Sequence, residues 1–404
     1  MTLLLLGLSP CLMEAQATPW VRFGGNAVPI YTYTDPVPGG ESLGEIRVVQ
    51  PTLMAHGGAW ENRLRFLATL NGEGLTIPDG ELTLGDWGEG FVDRRHPHTY
   101  LHEAVLTYYH RLGPGAVSMS AGKGFAPFGT DDPMARPVLR YPVNHHLAQI
   151  LERAIAILGV RVGQVFLEGG LFNGDEPDRP GRWPRISRFG DSWSARLTAY
   201  PLPPLELQGS YAEVNSPEHR AGFGTDQSKW SLSARWSAVE RRFPVYGMVE
   251  WARTSEARGF FVFHSLLAEG AWTLGRHRLH YRFERTERPE EERTGPFRSL
   301  RPHFENSILG ITRWTIHSTG YAFQLKTRDL VQAMPFVELS YGRIARVGGG
   351  LFEPVSFYGK SSFWAVGVGA RLSVGLPVHR MGRYGVAQDT APESNGRHHE
   401  HYDD

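Results

Sequence analysis

The sequence ends on a group that could bind metal: His398, His399 and His401 lie beside Glu400, Asp403 and Asp404. Imidazoles and carboxylates this close are ligands for zinc, copper or nickel. Nothing in the pattern fixes a coordination geometry, so the expectation is weak binding by a solvated tail, with no dedicated metal centre and no cofactor. His145 and His146 are a second candidate pair, but adjacent side chains point apart, and hydrogen bonding within a loop is the simpler reading. Hydrolysis needs a nucleophile, a base and an orienting acid. Serines are many, and His102, His110, His264 and His280 fall on strand-like segments, yet no Gly-x-Ser-x-Gly elbow occurs. The chain is therefore not read as an enzyme. Charge on the strands is the remaining chemistry. Arg63, Arg65, Arg111, Arg196, Arg235, Arg278, Arg282 and Arg371 fall on the polar side of alternating segments, against Glu103, Glu206, Glu250, Glu284 and Glu338. In a water-filled passage such groups bias which ions enter, unless opposite charges pair and cancel.

The elements that must position these residues are strands. In residues 193–200, Trp193, Ala195, Leu197 and Ala199 alternate with Ser194, Arg196, Thr198 and Tyr200. Pro201, Leu202, Pro203 and Pro204 make a turn, and Leu205, Leu207 and Gly209 then alternate with Glu206, Gln208 and Ser210. A period of two gives each strand an oily face and a wet one. The same rhythm recurs along most of the chain. In residues 277–285, Leu279, Tyr281 and Phe283 alternate with Arg278, His280, Arg282 and Glu284. Four ionisable groups on one face are costly in a dry core and cheap in a wet lumen. The fold class expected is all-β, a transmembrane antiparallel β-barrel of about sixteen strands, within about two of that number. Short turns alternate with long loops, as in a barrel with one tight rim and one elaborate rim. With the short turns on the periplasmic side, the loop 346–361 falls on the wrong rim unless residues 27–34 form a strand or the segment 321–326 does not.

Composition agrees. The 404 residues carry 42 basic and 42 acidic side chains and are 41% hydrophobic, which excludes disorder and gives no global pull toward nucleic acid. After the N-terminus no apolar run reaches the length of a membrane-spanning helix. Residues 3–8 followed by Ala15-Gln16-Ala17 resemble a secretion signal over residues 1–17, with the single cysteine, Cys11, inside it. Residues 18–375 would then be the barrel domain, and 376–404 a polar, His-rich tail.

The stretch Gly122-Lys123-Gly124-Phe125-Ala126-Pro127-Phe128-Gly129, followed by Leu151-Glu152-Arg153 and a new strand, resembles the strand, loop and strand of phosphate-selective porin-like outer-membrane proteins. The resemblance implies that the long loop 124–153 folds into the channel and narrows it, and that the protein is a homotrimer. The family's ladder of basic residues has no position-by-position counterpart here. The expectation is a porin of the bacterial outer membrane, embedded in lipid and lipopolysaccharide, passing small hydrophilic solutes with at most a mild preference for anions. Arg136, Arg140 and Arg153 in the loop, and Arg278, Arg282 and Glu284 on the wall, are the expected tuning residues. Two alternatives are a secreted soluble all-β binding protein and an outer-membrane barrel hydrolase.

Overall fold

A computed structural model describes residues 19–77, 98–138, 140–177, 179–217, 224–238, 245–295, 298–299, 308–325, 331–375 and 379–390. Sixteen strands pair antiparallel, each with its neighbour in sequence, and the first pairs with the last to close the barrel. They are β1 (Trp20–Asp35), β2 (Leu43–Ala59), β3 (Leu64–Asn71), β4 (Leu101–Leu112), β5 (Gly115–Gly124) and β6 (Arg153–Val162). Next come β7 (Val165–Phe172), β8 (Ser192–Leu202), β9 (Leu205–Val214), β10 (Gln227–Ala238) and β11 (Val245–Glu256). The circle is completed by β12 (Phe261–Leu274), β13 (His277–Glu291), β14 (Ile308–Phe323), β15 (Val331–Val347) and β16 (Ser362–Gly375). Closure leaves no sheet edge unpaired, which is what a bilayer demands of strands.

The alternation read from the sequence sets which way each side chain points. Leu232, Trp230 and Trp364 on the outer wall are 53%, 46% and 41% exposed, whereas Arg282 and Glu284 on the inner wall are buried. Burial inside and apolar exposure outside are the reverse of a soluble protein and the signature of a barrel facing hydrocarbon. A secreted soluble protein would have to cover these rows. Among the described residues no second sheet does so.

The structure resolves the parity question. Residues 27–34 lie within β1, and residues 321–323 are no strand of their own but the end of a long one, β14. Gly320 lies within this strand. In the structure it admits a neighbour: His280 lies over Gly320, its register partner, to reach Glu338 on the far side at 2.9 Å. A Cβ at residue 320 would occupy the space of that ring. With β14 continuous, the start of β1, the end of β16 and the tight turns after β2, β4, β6, β8 and β12 share one rim, and the loop after β15 joins the long loops at the other. By the usual disposition of such barrels the tight rim is periplasmic.

Candidate functional site

The lumen is the candidate site, and the chain between β5 and β6 runs through it. The motif that resembles a porin family supplies both anchors of that stretch. At the entry, Lys123 sends its ammonium to the Leu101 carbonyl at 2.6 Å and to the Thr99 hydroxyl. Phe125, Ala126 and Phe128 then sink into apolar clusters with strand residues such as Val105, Ile157 and Phe172. Gly129 turns at φ +65°, where an added Cβ would collide with the Ala148 carbonyl, so glycine is required there on two counts. At the exit, Glu152 accepts from the Thr99 N–H at 3.0 Å, the Thr99 hydroxyl at 2.6 Å and His102 Nδ1 at 2.8 Å. Burial would raise the Glu152 carboxyl, but His102, Lys123 and His98 outweigh it and hold it below the ordinary range.

Between these anchors the loop is pinned to wall after wall. The Gly129 N–H donates to Ser210 on β9 at 2.9 Å, and the Asn144 amide donates to Glu250 on β11 at 2.8 Å. The Val143 N–H donates to Glu284 on β13 at 2.7 Å. Asp132 caps the short 3-10 turn Pro133–Ala135 through the Met134 N–H at 2.8 Å and accepts from the Tyr141 hydroxyl at 2.9 Å. Burial raises its carboxyl. The hydrogen bond and charge of His145, with His102 and His98 behind it, bring it down to about 2. His98, whose burial alone would lower it, is pushed up to about 10 by Glu73, 2.6 Å away, assisted by Glu152 and Asp132.

The six residues named from the sequence all lie in this interior, but their surroundings differ. Arg136 donates to the Thr130 hydroxyl at 2.6 Å and the Asp131 carbonyl at 2.7 Å, with Glu269 at 3.8 Å and Glu250 at 4.0 Å. Arg140 reaches the hydroxyls of Ser318 on β14 and Ser340 on β15 at 2.8 and 2.6 Å, and lies 4.0 Å from Glu284. Arg153 donates to the Leu151 carbonyl at 2.6 Å and faces Glu176 at 3.6 Å. Arg282 is fixed by Glu269 at 2.6 Å and donates to the Arg140 carbonyl. Four of the five named arginines are thus paired or nearly so, and each holds loop backbone in place. Arg278 stands apart. Among the described residues no carboxylate lies within ion-pair distance of it, and the same is true of Arg371, which donates only to the Met134 carbonyl at 2.7 Å.

Sequence reasoning missed the other occupant of the lumen. Part of the stretch read as a solvated tail, residues 379–387, lies inside the barrel, with Met381, Tyr384 and Val386 buried in three different apolar clusters. The available signal was Met381, Tyr384 and Val386 interleaved with Arg380 and Arg383, which is amphipathic and unlike the polar run after it. His398, His399 and His401 lie outside the described residues.

A closed, even-stranded barrel, apolar without and charged within, is the architecture of a bacterial outer-membrane protein. No protein-family model matches the sequence, and no curated protein does. Among solved structures, an anion-selective porin from Comamonas acidovorans is 11% identical, with 88% of this chain and 100% of that one covered and a TM-score of 0.52. A loop-deletion mutant of OmpT, an outer membrane protein of Vibrio cholerae, is 11% identical over 88% of this chain and 99% of that one, with a TM-score of 0.49. OccAB2 of Acinetobacter baumannii is 10% identical over 88% and 98%, with a TM-score of 0.42. At these identities the likeness is one of fold, and the fold is the porin barrel.

Proposed function

We propose that the protein is a passive diffusion channel for small hydrophilic solutes, with a mild preference for anions. What supports the channel is the inner wall: sixteen strands turn charged and hydroxyl side chains inward and apolar ones outward, an expense that only a passage for polar solutes explains. What supports the anion preference is the inequality among the arginines. Paired guanidiniums cancel against Glu269, Glu284 and Glu176, so the net field in the lumen falls to Arg278 and Arg371 on β13 and β16. Arg136 and Arg140 narrow the passage by holding the β5–β6 loop across it and contribute shape more than charge.

The test is ion selectivity in planar bilayers. In a salt gradient, Arg278→Ser/Arg371→Ser should move the reversal potential toward the cation side, while Arg153→Ser leaves its sign alone. An unchanged potential in the first variant removes the assignment of these two arginines. Absence of conductance both from the full chain and from a chain ending at Gly375 sinks the channel reading itself.

A further inference from the structure

Beyond β16 the chain re-enters the barrel, and its side chains meet a prepared set of partners. Arg380 lays its guanidinium across two carboxylates, donating to both oxygens of Asp131 at 2.6 and 2.9 Å and to both oxygens of Glu206 at 2.7 and 3.0 Å. Arg383 reaches the same two groups at 3.1 and 2.9 Å, adds the Thr198 hydroxyl at 3.1 Å, and also donates to Gln208. The backbone between them is read as well, since Arg196 donates to the Gly382 carbonyl at 2.7 Å. The Tyr384 hydroxyl donates to Glu103 at 2.6 Å and accepts from the Phe125 N–H at 3.1 Å, and the Val386 N–H finds Ser118 at 3.0 Å.

We infer that Asp131 and Glu206 are the centre of a peptide-binding site inside the lumen, specific for two arginines three residues apart, and that residues 379–387 are its resident ligand and act as a tethered plug. The inference rests on the channel reading. Three observations carry it. The carboxylates come from different parts of the protein, Asp131 from the β5–β6 loop and Glu206 from the start of β9, so the two arginines join loop to wall toward the tight rim of the barrel. Bidentate guanidinium–carboxylate contacts are strong and geometrically selective, and here both carboxylates and Arg383 are buried while Arg380 is half-buried. The barrel does not need the segment to close, because β16 ends at Gly375 and pairs directly with β1. The polar contacts given above run through side chains and three isolated backbone groups, the Gly382 carbonyl and the N–H groups of Val386 and Phe125, and none is a strand ladder, so the segment can leave toward the periplasmic rim without unzipping the wall.

The experiment uses three chains: the full protein, the full protein carrying Arg380→Ala/Arg383→Ala, and the protein ending at Gly375, each shown to be folded by a heat-dependent shift in gel migration. The probe is a synthetic peptide of residues 379–390, fluorescently labelled for binding and unlabelled for block. The peptide should bind the shortened barrel, and a peptide with both arginines replaced by alanine should bind at least about a hundredfold more weakly, given tenfold or more for each lost charge-assisted contact set. In bilayers the shortened chain and the double variant should conduct steadily where the full chain is mostly closed, and the peptide should close the shortened chain. Equal binding of the two peptides, or no binding of either, overturns the site. Equal conductance of full and shortened chains overturns the plug and leaves the channel standing. Peptide binding without conductance in any form overturns the channel reading and, with it, the plug, while the site remains.

Discussion

The inner wall holds a buried ion pair, Glu168 and Arg196, whose coupling a double-variant cycle can measure. The two are register partners on β7 and β8, both about 1% exposed, joined by parallel hydrogen bonds of 2.7 and 2.8 Å. Arg196 also donates to the carbonyls of Gly382 at 2.7 Å and Gly129 at 3.4 Å, so its guanidinium supports wall, loop and C-terminal segment together. Glu168→Leu leaves a buried guanidinium without its counter-charge, and breaking a buried pair from one side costs about 3–5 kcal/mol. Arg196→Met strands the carboxylate in the same way and should cost at least as much. The double variant removes both charges and replaces them with apolar groups of similar bulk, which is often neutral for the pair itself. Its cost should therefore be no greater than that of either single change, leaving a coupling of about 3 kcal/mol or more, roughly a hundredfold in the folding equilibrium. The assay is urea unfolding of the barrel folded into lipid vesicles, followed by tryptophan emission and by gel migration. If both single variants lose less than about 1 kcal/mol, or the double variant loses their sum, the interior is wet enough to solvate these charges and the reasoning fails.

Leu232 faces outward at mid-strand on β10, so Leu232→Arg should cost about 2–4 kcal/mol in vesicles, and Leu232→Phe almost nothing; equal stability of the two would place this face in water. Gly129→Ala should dislodge the β5–β6 loop while leaving the strands paired, read as protease cleavage within residues 125–152 of a barrel that still migrates as folded. His98 is held near 10 by Glu73, above its unfolded value of 6.5. Its contribution is complete below pH 6.5 and is lost as pH rises through about 10, so His98→Phe should flatten the fall in melting temperature between pH 7 and 10.5. Asp132, held near 2 against an unfolded 3.8, contributes above pH 3.8 and loses that contribution as pH falls through about 2, so Asp132→Asn should blunt the acid limb of the same curve.

The wall was legible in the sequence because it obeys a one-dimensional rule. A period of two, repeated in Trp193 to Ala199 or Leu279 to Phe283, sorts side chains between lipid and lumen whatever lies across the barrel. Strand ends were less legible: the segment 321–326 reads as a unit of its own, whereas residues 308–323 form one strand in which Gly320 leaves room for the His280 ring. The interior was legible only in its ingredients. Arg136, Arg140 and Arg282 were recognisable as inward or loop arginines, but whether a charge is free or paired depends on contacts such as Arg140 with Ser318 and Ser340, 178 and 200 residues away in sequence. The C-terminal segment was misjudged because polarity alone was weighed. Arg383 is as buried as a core residue, and Arg380 half-buried, because Asp131 and Glu206 lie opposite them.

That dependence explains how one lumen can be densely charged and still nearly neutral in effect. A charge fixed by a partner at 2.6–4.0 Å presents a dipole to a passing solute, and its field falls off faster than that of a free charge, which physiological salt screens over about 8 Å. Such pairs cannot do much selecting, but they hold the β5–β6 loop in one shape because moving it would separate buried charges at several kcal/mol each. In the proposed channel, selection passes to the groups left without a counter-charge, Arg278 and Arg371, and closure to the contacts that Asp131 and Glu206 make with Arg380 and Arg383. On that proposal the inner wall divides by pairing: residues bonded to the wall set the shape, unpaired ones set the field, and those bonded to the C-terminal segment open or close the passage.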